Sequence, residues 1–298
     1  MKKLCISIFL TLATLPALAK ENITIVYAFS ISDTTANYSR VLLTEANKIQ
    51  DKYNFIFDAK PGAGGTIATN YVLNAPNTIL HHSTAFFVRP NIFPKESWDI
   101  TQFREEFVHC LAPLVIASSK YKSWKEISDL PVTIGISGLG VTTHLAAVQL
   151  QQKYPNMIIV PFKSTTDAMS SMVAQQTDLA IGFPGEVKQW TETKKVTVLG
   201  ITGTKSVGGY PTLVSQGLGP VFGQMLVGQH FLVPTKWSED KAHEIYDILT
   251  QASRITSVEE SYRDDFCSPH ATTYKDLPKF FNFHEEYWKK LSSGIKID

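Results

Sequence analysis

Two periods of hydrophobic patterning alternate along the chain. Residues 22–29 are rich in β-branched and aromatic side chains and read as a strand, followed by polar turn formers over 30–35. Over 36–50, Ala36, Val41, Leu42, Ala46 and Ile49 recur at the spacing of one helix face. Residues 53–57 form a second short strand pattern, 66–73 a helix and 78–80 the start of a third strand. The rhythm returns further on. Strand patterns at 132–136, 157–160, 179–181 and 196–201 are interleaved with helical patterns at 143–152 and 167–175. Beyond Trp237 the character changes to two long helical stretches, 238–256 and 277–291, in which Phe280, Phe281, Phe283 and Trp288 fall at core spacing. Alternation of strands and helices predicts parallel βαβ units. Two such blocks and a helical return predict an α/β fold of two lobes around one ligand cleft, since open parallel sheets bind ligands beyond the carboxyl ends of their strands.

Length and composition refine this. The 298 residues are 44% hydrophobic and 18% charged, with 28 Lys and Arg against 27 Asp and Glu. That excludes a disordered chain, and near-neutrality excludes a basic field for nucleic acid. The N-terminus has the three parts of a secretory signal peptide: basic Lys2-Lys3, an uncharged run over 4–19, and the small-residue exit Ala17-Leu18-Ala19. An uncleaved anchor is the alternative, but the run falls short of the roughly 20 residues that span a bilayer. Cleavage after Ala19 leaves 279 residues, changes the formal charge from +1 to −1, and removes Cys5. The expected organisation is signal peptide 1–19, first lobe 20–114, second lobe 115–225, and a return to the first lobe over 226–298. Cys110 and Cys267 then stand in an oxidising compartment, either bridged or free.

Two glycine-rich loops carry the candidate chemistry. Gly62-Ala63-Gly64-Gly65-Thr66 follows a strand and opens a helix, so its amides and the helix N-terminus suit a carboxylate or phosphate. A tight turn without a ligand satisfies the same pattern, and the absence of a following Lys-Ser/Thr excludes a Walker A loop. The second loop runs from Gly135 through Ser137, Gly138 and Gly140 to Val141, Thr142, Thr143 and His144. It lacks the final glycine of a nucleophile elbow and the third glycine of a dinucleotide loop. Thr142 is the expected helix N-cap, and the hydroxyls serve either as caps or as donors to an oxyanion. His81-His82 on one strand point to opposite faces and lack a third ligand, so no metal is expected, nor any cofactor. Cys267 and His270 lack an orienting partner for a catalytic pair. Lys163 ends a strand, either facing the cleft or solvated.

In combination these segments resemble the Bug-type receptors, the solute-binding proteins of tripartite tricarboxylate transporters. The resemblance is carried by Lys60 to Thr66, Ser137 to Leu145, Val160-Pro161-Phe162-Lys163, residues 174–205 and Tyr210-Pro211-Thr212-Leu213, in order across the mature chain. It implies a two-lobed, Venus-flytrap periplasmic-binding-protein architecture with mainly parallel sheets, closing on a small carboxylate. In such receptors amides and hydroxyls of two first-lobe loops hold one carboxylate, and second-lobe loops set selectivity. Carried onto this chain, the binding positions are Phe29, Ser30, Ser32, Asp33, Gly62, Ala63, Gly64, Gly65 and Thr66. They continue with Ser83, Thr84, Ser137, Gly138, Val141, Thr142, Thr143, His144, Phe162, Lys163 and Phe183. Three departures from the family pattern are compatible with backbone binding of a first carboxylate but mean that ligand identity is not inherited from the resemblance. Ser32, Asp33 and Ala36 replace a glycine pair and a later Asp, Gly182-Phe183-Pro184-Gly185 replaces a polar or acidic segment, and Ser164 replaces a glycine. The expected function is a monomeric, non-enzymatic periplasmic receptor that delivers a carboxylate to membrane transporter subunits. The alternatives are a receptor signalling to a sensor kinase and a hydrolase using Ser137.

Overall fold

The computed structural model describes residues 19–31, 34–127, 129–267 and 272–295. Residues 1–18, on which the expected signal peptide falls, together with Ser32, Asp33 and His270, lie outside the described residues. The first block comprises β1 (Glu21–Tyr27), α1 (Thr34–Lys48), β2 (Tyr53–Ala59), α2 (Thr66–Asn74), β3 (Thr78–Ser83), α3 (Ala85–Ile92) and β4 (Phe103–Pro113). The second comprises β5 (Val115–Ser118), β6 (Thr133–Ile136), α4 (Thr142–Lys153), β7 (Ile158–Pro161), α5 (Thr165–Val173), β8 (Leu179–Gly182), α6 (Pro184–Glu192) and β9 (Thr197–Ile201). The return is β10 (Leu226–Pro234), α7 (Glu239–Ser253), α8 (Thr256–Tyr262) and α9 (Leu277–Ser292).

These strands form two five-stranded sheets of one design, β2-β1-β3-β10-β4 and β7-β6-β8-β5-β9. In each, three strands run parallel and the fourth is reversed and pairs antiparallel with both neighbours. Four of five strands therefore share one direction, as mainly parallel sheets require, while half of the pairings are antiparallel. The reversed strands are those by which the chain enters the second sheet (β5) and returns to the first (β10). The two crossings are tied together: Leu114 accepts from the Thr202 amide at 2.9 Å and donates its own amide to Thr202 Oγ1 at 2.8 Å.

β1 shows why a central strand reads as nearly continuous apolar sequence. It lies between β2 and β3, with Ile25 opposite Phe57 on one side and Ile79 on the other, and Ile23, Ile25 and Val26 are wholly buried. The hydrophobic pattern names no element over β4 or β10, because Arg104, Glu105, Glu106, His109, Gln229 and His230 interrupt it. In the fold these two strands pair, and His230 Nδ1 and Glu105 Oε2 meet at 2.8 Å in a fully buried site. The long helix expected over 238–256 is α7, which ends at Ser253; Ile255 turns to extended backbone and α8 follows from Thr256. In α9, Phe281 and Trp288 are core as expected, but Phe283 is 46% exposed on the outer face and stacks on Tyr287. Cys110 in β4 and Cys267, with Cα atoms 5.2 Å apart, are joined as a disulfide.

Candidate functional site

A cavity of about 380 Å3 lies where the loops at the strand ends of both sheets converge. That is the scale of a pocket for a small organic ligand. The first glycine loop forms one wall. Gly62, Gly64 and Gly65 all take positive φ, and Gly65 is the residue before α2. A Cβ at Gly65 would stand 2.0 Å from His82 Nε2, and one at Gly64 2.6 Å from an Arg89 guanidinium nitrogen. Both glycines are thus required by what lies behind the loop as well as by backbone conformation. His82 faces Ser83 O with its Nδ1 at 2.9 Å, so that nitrogen carries the proton, and burial pulls the ring down to about 3, keeping it neutral. Arg89, 8% exposed, lines the cavity behind Gly64. Its guanidinium lies 4.5 Å from the Phe93 ring centre and 3.7 Å from the exposed Glu96 carboxylate. Burial lowers it from its ordinary range and Glu96 draws it back, but an arginine stays charged in any such setting.

The second glycine loop forms the facing wall. Thr142 does not cap α4. Val141 occupies the N-cap position, where its apolar side chain accepts no hydrogen bond. Thr143 Oγ1 instead braces the loop, accepting from the Ser137 amide at 3.1 Å and pairing with Ser137 Oγ at 2.9 Å. Among the described residues no histidine or carboxylate hydrogen-bonds to Ser137 Oγ. α2 and α4 thus both begin at this cavity without a side-chain cap.

The remaining wall comes from the starts of α5 and α6. Lys163 stands exposed at the rim, and Ser164 caps α5 by accepting from the Asp167 amide at 3.0 Å. Glu186 lies half-buried in the cavity lining. Thr165 and Thr166 donate their hydroxyls to its Oε1 at 2.7 and 2.9 Å, and the Phe183 amide donates to Oε2 at 2.8 Å. Burial raises this carboxyl to about 7, the three hydrogen bonds oppose the rise, and nearby Asp265 adds to it.

Thirteen sequence-predicted positions meet at this cavity. Phe29, Ser30, Gly62, Gly64, Gly65 and Ser83 line it from the first block. Ser137, Gly138, Val141, Thr142, Thr143, Lys163 and Phe183 line it from the second. Five others stand off it. Ala63 lies within the loop, and Thr66 Oγ1 donates to the Ala63 and Glu96 carbonyls at 2.9 Å each. Thr84 ties β3 to β10, accepting from the Gly228 amide at 2.6 Å and donating to its carbonyl at 3.2 Å. His144 accepts from the Gly140 amide at 3.3 Å through Nδ1 and braces the second loop from behind. Phe162 packs against Gly135. Arg89 and Glu186 were not foreseen. Each had a signal: a lone arginine ending the apolar run Ala85–Val88, and a glutamate three residues into a helix opened by Pro184, the position from which a side chain reaches back to the N-cap amide.

The model of the tripartite tricarboxylate transporter family receptor matches residues 39–296. The chain belongs to that family. It is a family of solute-binding receptors, not of enzymes. The receptor's relatives include a UPF0065 protein from the tcbD-tcbE intergenic region of Pseudomonas sp. strain P51, 26% identical over 161 residues. That match covers 49% of this chain and 48% of the relative, so the receptor spans about half the length of that relative. Among solved structures it is similar to the periplasmic binding protein BugD, with a TM-score of 0.79 at 20% identity over 91% of this chain and 96% of that one. It is also similar to MatC of Rhodopseudomonas palustris with bound malate, with a TM-score of 0.78 at 17% identity over 92% and 99%. R. palustris Rpa4515 with adipate gives 0.81 at 17% over 93% and 98%. These likenesses establish the two-lobed periplasmic-binding-protein fold for the receptor.

Proposed function

We propose that this receptor is exported by its N-terminal signal peptide and captures a small organic carboxylate between lobes formed by 20–114 with 226–298 and by 115–225. It would hand that ligand, as a monomer, to the membrane subunits of a tripartite tricarboxylate-type transporter. The observation that carries the reading is the uncapped start of α2 at Gly65 with the Arg89 guanidinium directly behind it. A helix dipole of about half a charge favours an anion even with the Gly65 and Thr66 amides held by the Gly62 and Ala63 carbonyls, and a buried arginine supplies a full charge without a surplus of surface cations. The uncapped start of α4 adds donors from the other lobe, so one anion touching both would favour the closed form. The family membership and the malate and adipate bound to two similar proteins support the ligand class.

Calorimetry of the mature chain with a panel of mono- and dicarboxylates tests this. Binding of at least one acid, with a matching rise in melting temperature, is the expected result. Silence across the panel, with binding of a cationic or neutral solute, would overturn it.

A further inference from the structure

The carboxylate reading leaves open what the other end of the cavity recognises, and Glu186 addresses that. The Thr165 and Thr166 hydroxyls at the start of α5 and the Phe183 and Gly185 amides at the start of α6 are already engaged by the chain's own carboxylates. Thr165, Thr166 and the Phe183 amide all donate to Glu186, and the Gly185 amide donates to Asp265 Oδ1 at 2.5 Å. A second ligand carboxylate arriving at the start of α6 would meet the Glu186 carboxyl, with the Phe183 and Gly185 amides already engaged and Pro184 having none to offer. Counted by lone pairs among the described residues, Glu186 Oε1 is filled by its two threonine hydroxyls, whereas Oε2 receives only the Phe183 amide and has one acceptor position left. That group lines the same cavity as Gly65 and Arg89.

We propose that Glu186 is the specificity-determining residue of this receptor. On this assignment the cleft takes a monocarboxylate with a hydrogen-bond donor at the end remote from its carboxylate, and rejects the dicarboxylate of equal length. The carboxylate lies at Gly65 and Arg89, and the donor, an ammonium or a hydroxyl, fills the open position on Glu186 Oε2. This rests on the carboxylate reading above and adds a polarity to it.

Three chain-matched four-carbon acids separate the possibilities by calorimetry on the mature protein: 4-aminobutyrate, 4-hydroxybutyrate and succinate. Either donor-bearing acid is expected to bind at least tenfold more tightly than succinate. If 4-aminobutyrate leads, the donor is an ammonium, and if 4-hydroxybutyrate leads, it is a hydroxyl. Glu186→Gln is expected to erase that ratio, and Glu186→Asp to keep its sign. A wild-type pH series needs no variant. Neither group of 4-aminobutyrate titrates between pH 6 and 8. Its affinity is expected to rise several-fold across that interval as Glu186 ionises around pH 7. The charged and titratable groups around Glu186 are Asp265 and Tyr38 on one side, the Lys188–Asp264 pair along α6, and Lys163 and Asp167 at the start of α5. A wild-type preference for succinate, or a ratio unchanged in Glu186→Gln, overturns the assignment while the receptor reading stands. If no acid of the series or of the wider panel binds, both fall together.

Discussion

The N-termini of α2 and α4 face the same cavity as those of α5 and α6, but their amides are satisfied in opposite ways. α2 begins at a left-handed glycine and α4 at a valine, and neither has a side chain that caps it. α5 is capped by Ser164, and α6 by Glu186, which reaches back to the Phe183 amide. The first pair presents positive ends without a side-chain cap, that of α2 backed by Arg89, whereas the second presents its own cap and carboxylate. The contrast teaches that a cleft ringed by four helix N-termini is not uniformly anion-binding. What matters at each terminus is which residue already occupies it.

The two lobes differ also in what they bury. His81, His82, His109, His230 and His284 are all buried around the first sheet, whereas His144 is the buried counterpart of the second among the described residues. Burial lowers all five, four of them to about 3. Because their folded-state values lie below the ordinary 6.5, the unfolded chain binds more protons between those limits, and stability falls as pH drops below about 6.5. Each histidine contributes about 1.4 kcal/mol per pH unit to that slope. Glu105 and Glu106 act in the other direction. Burial raises both, and Asp265 as well, so their contribution grows as pH falls towards 4.5, but they are three against five. The largest expected effect is therefore a cooperative loss of the first lobe between pH 6 and 4, read by chemical denaturation at stepped pH. A flat stability profile over that range would show the histidines charged in the folded state.

Next in size are substitutions that break the contrast at its anion-binding pole. Gly65→Ala places a Cβ 2.0 Å from the His82 ring at φ +98°. Overpacking of this kind costs about 1–3 kcal/mol, and the displaced loop is expected to lose carboxylate binding altogether. Gly138→Ala is the informative partner, since its nearest neighbour would be the Phe162 carbonyl at an ordinary 3.8 Å. Only the cost of a left-handed backbone, about 1–2 kcal/mol, should appear there. Arg89→Met keeps the volume and removes the charge. With Glu96 exposed and 3.7 Å away, little stability should be lost. Affinity should fall roughly tenfold to a hundredfold, the worth of a charge-assisted hydrogen bond of about 1.5–3 kcal/mol. Equal affinity in wild type and Arg89→Met, measured by calorimetry, would move the carboxylate away from α2.

The glycines of the open pole are legible in the sequence and the charged side chains Arg89 and Glu186 are not, for a physical reason. Gly62, Gly64 and Gly65 advertise themselves because few other residues adopt positive φ, and their position between a strand and a helix fixes what their amides face. Glu186 and Arg89 act through side chains on α6 and α3, elements whose apolar faces are too short to declare a period. Similar reasoning covers β4 and β10. Their polar residues spoil the alternation that marks a strand, and only the pairing of the two strands brings His230 onto Glu105 and makes burial tolerable. Thr84 and His144 are expected at the site because they fall in the segments that the family resemblance carries onto this chain. In each case the side chain turns to brace backbone at Gly228 or Gly140 instead.

The smallest expected effect distinguishes a loop brace from a nucleophile. Ser137 lines the cavity beside the uncapped start of α4, where an oxyanion would be stabilised, so its hydroxyl is the natural suspect for covalent chemistry. Yet Ser137 Oγ pairs with Thr143 Oγ1, a hydroxyl that also accepts from the Ser137 amide and has no basicity to take a proton. Ser137→Ala removes one half-buried hydrogen bond and leaves Thr143 its backbone partner. The expected cost is about 0.5–1.5 kcal/mol of stability and a change of a few-fold at most in carboxylate affinity. Turnover of small esters by the wild-type protein that disappeared in Ser137→Ala would contradict this, because a brace contributes to shape and not to bond making.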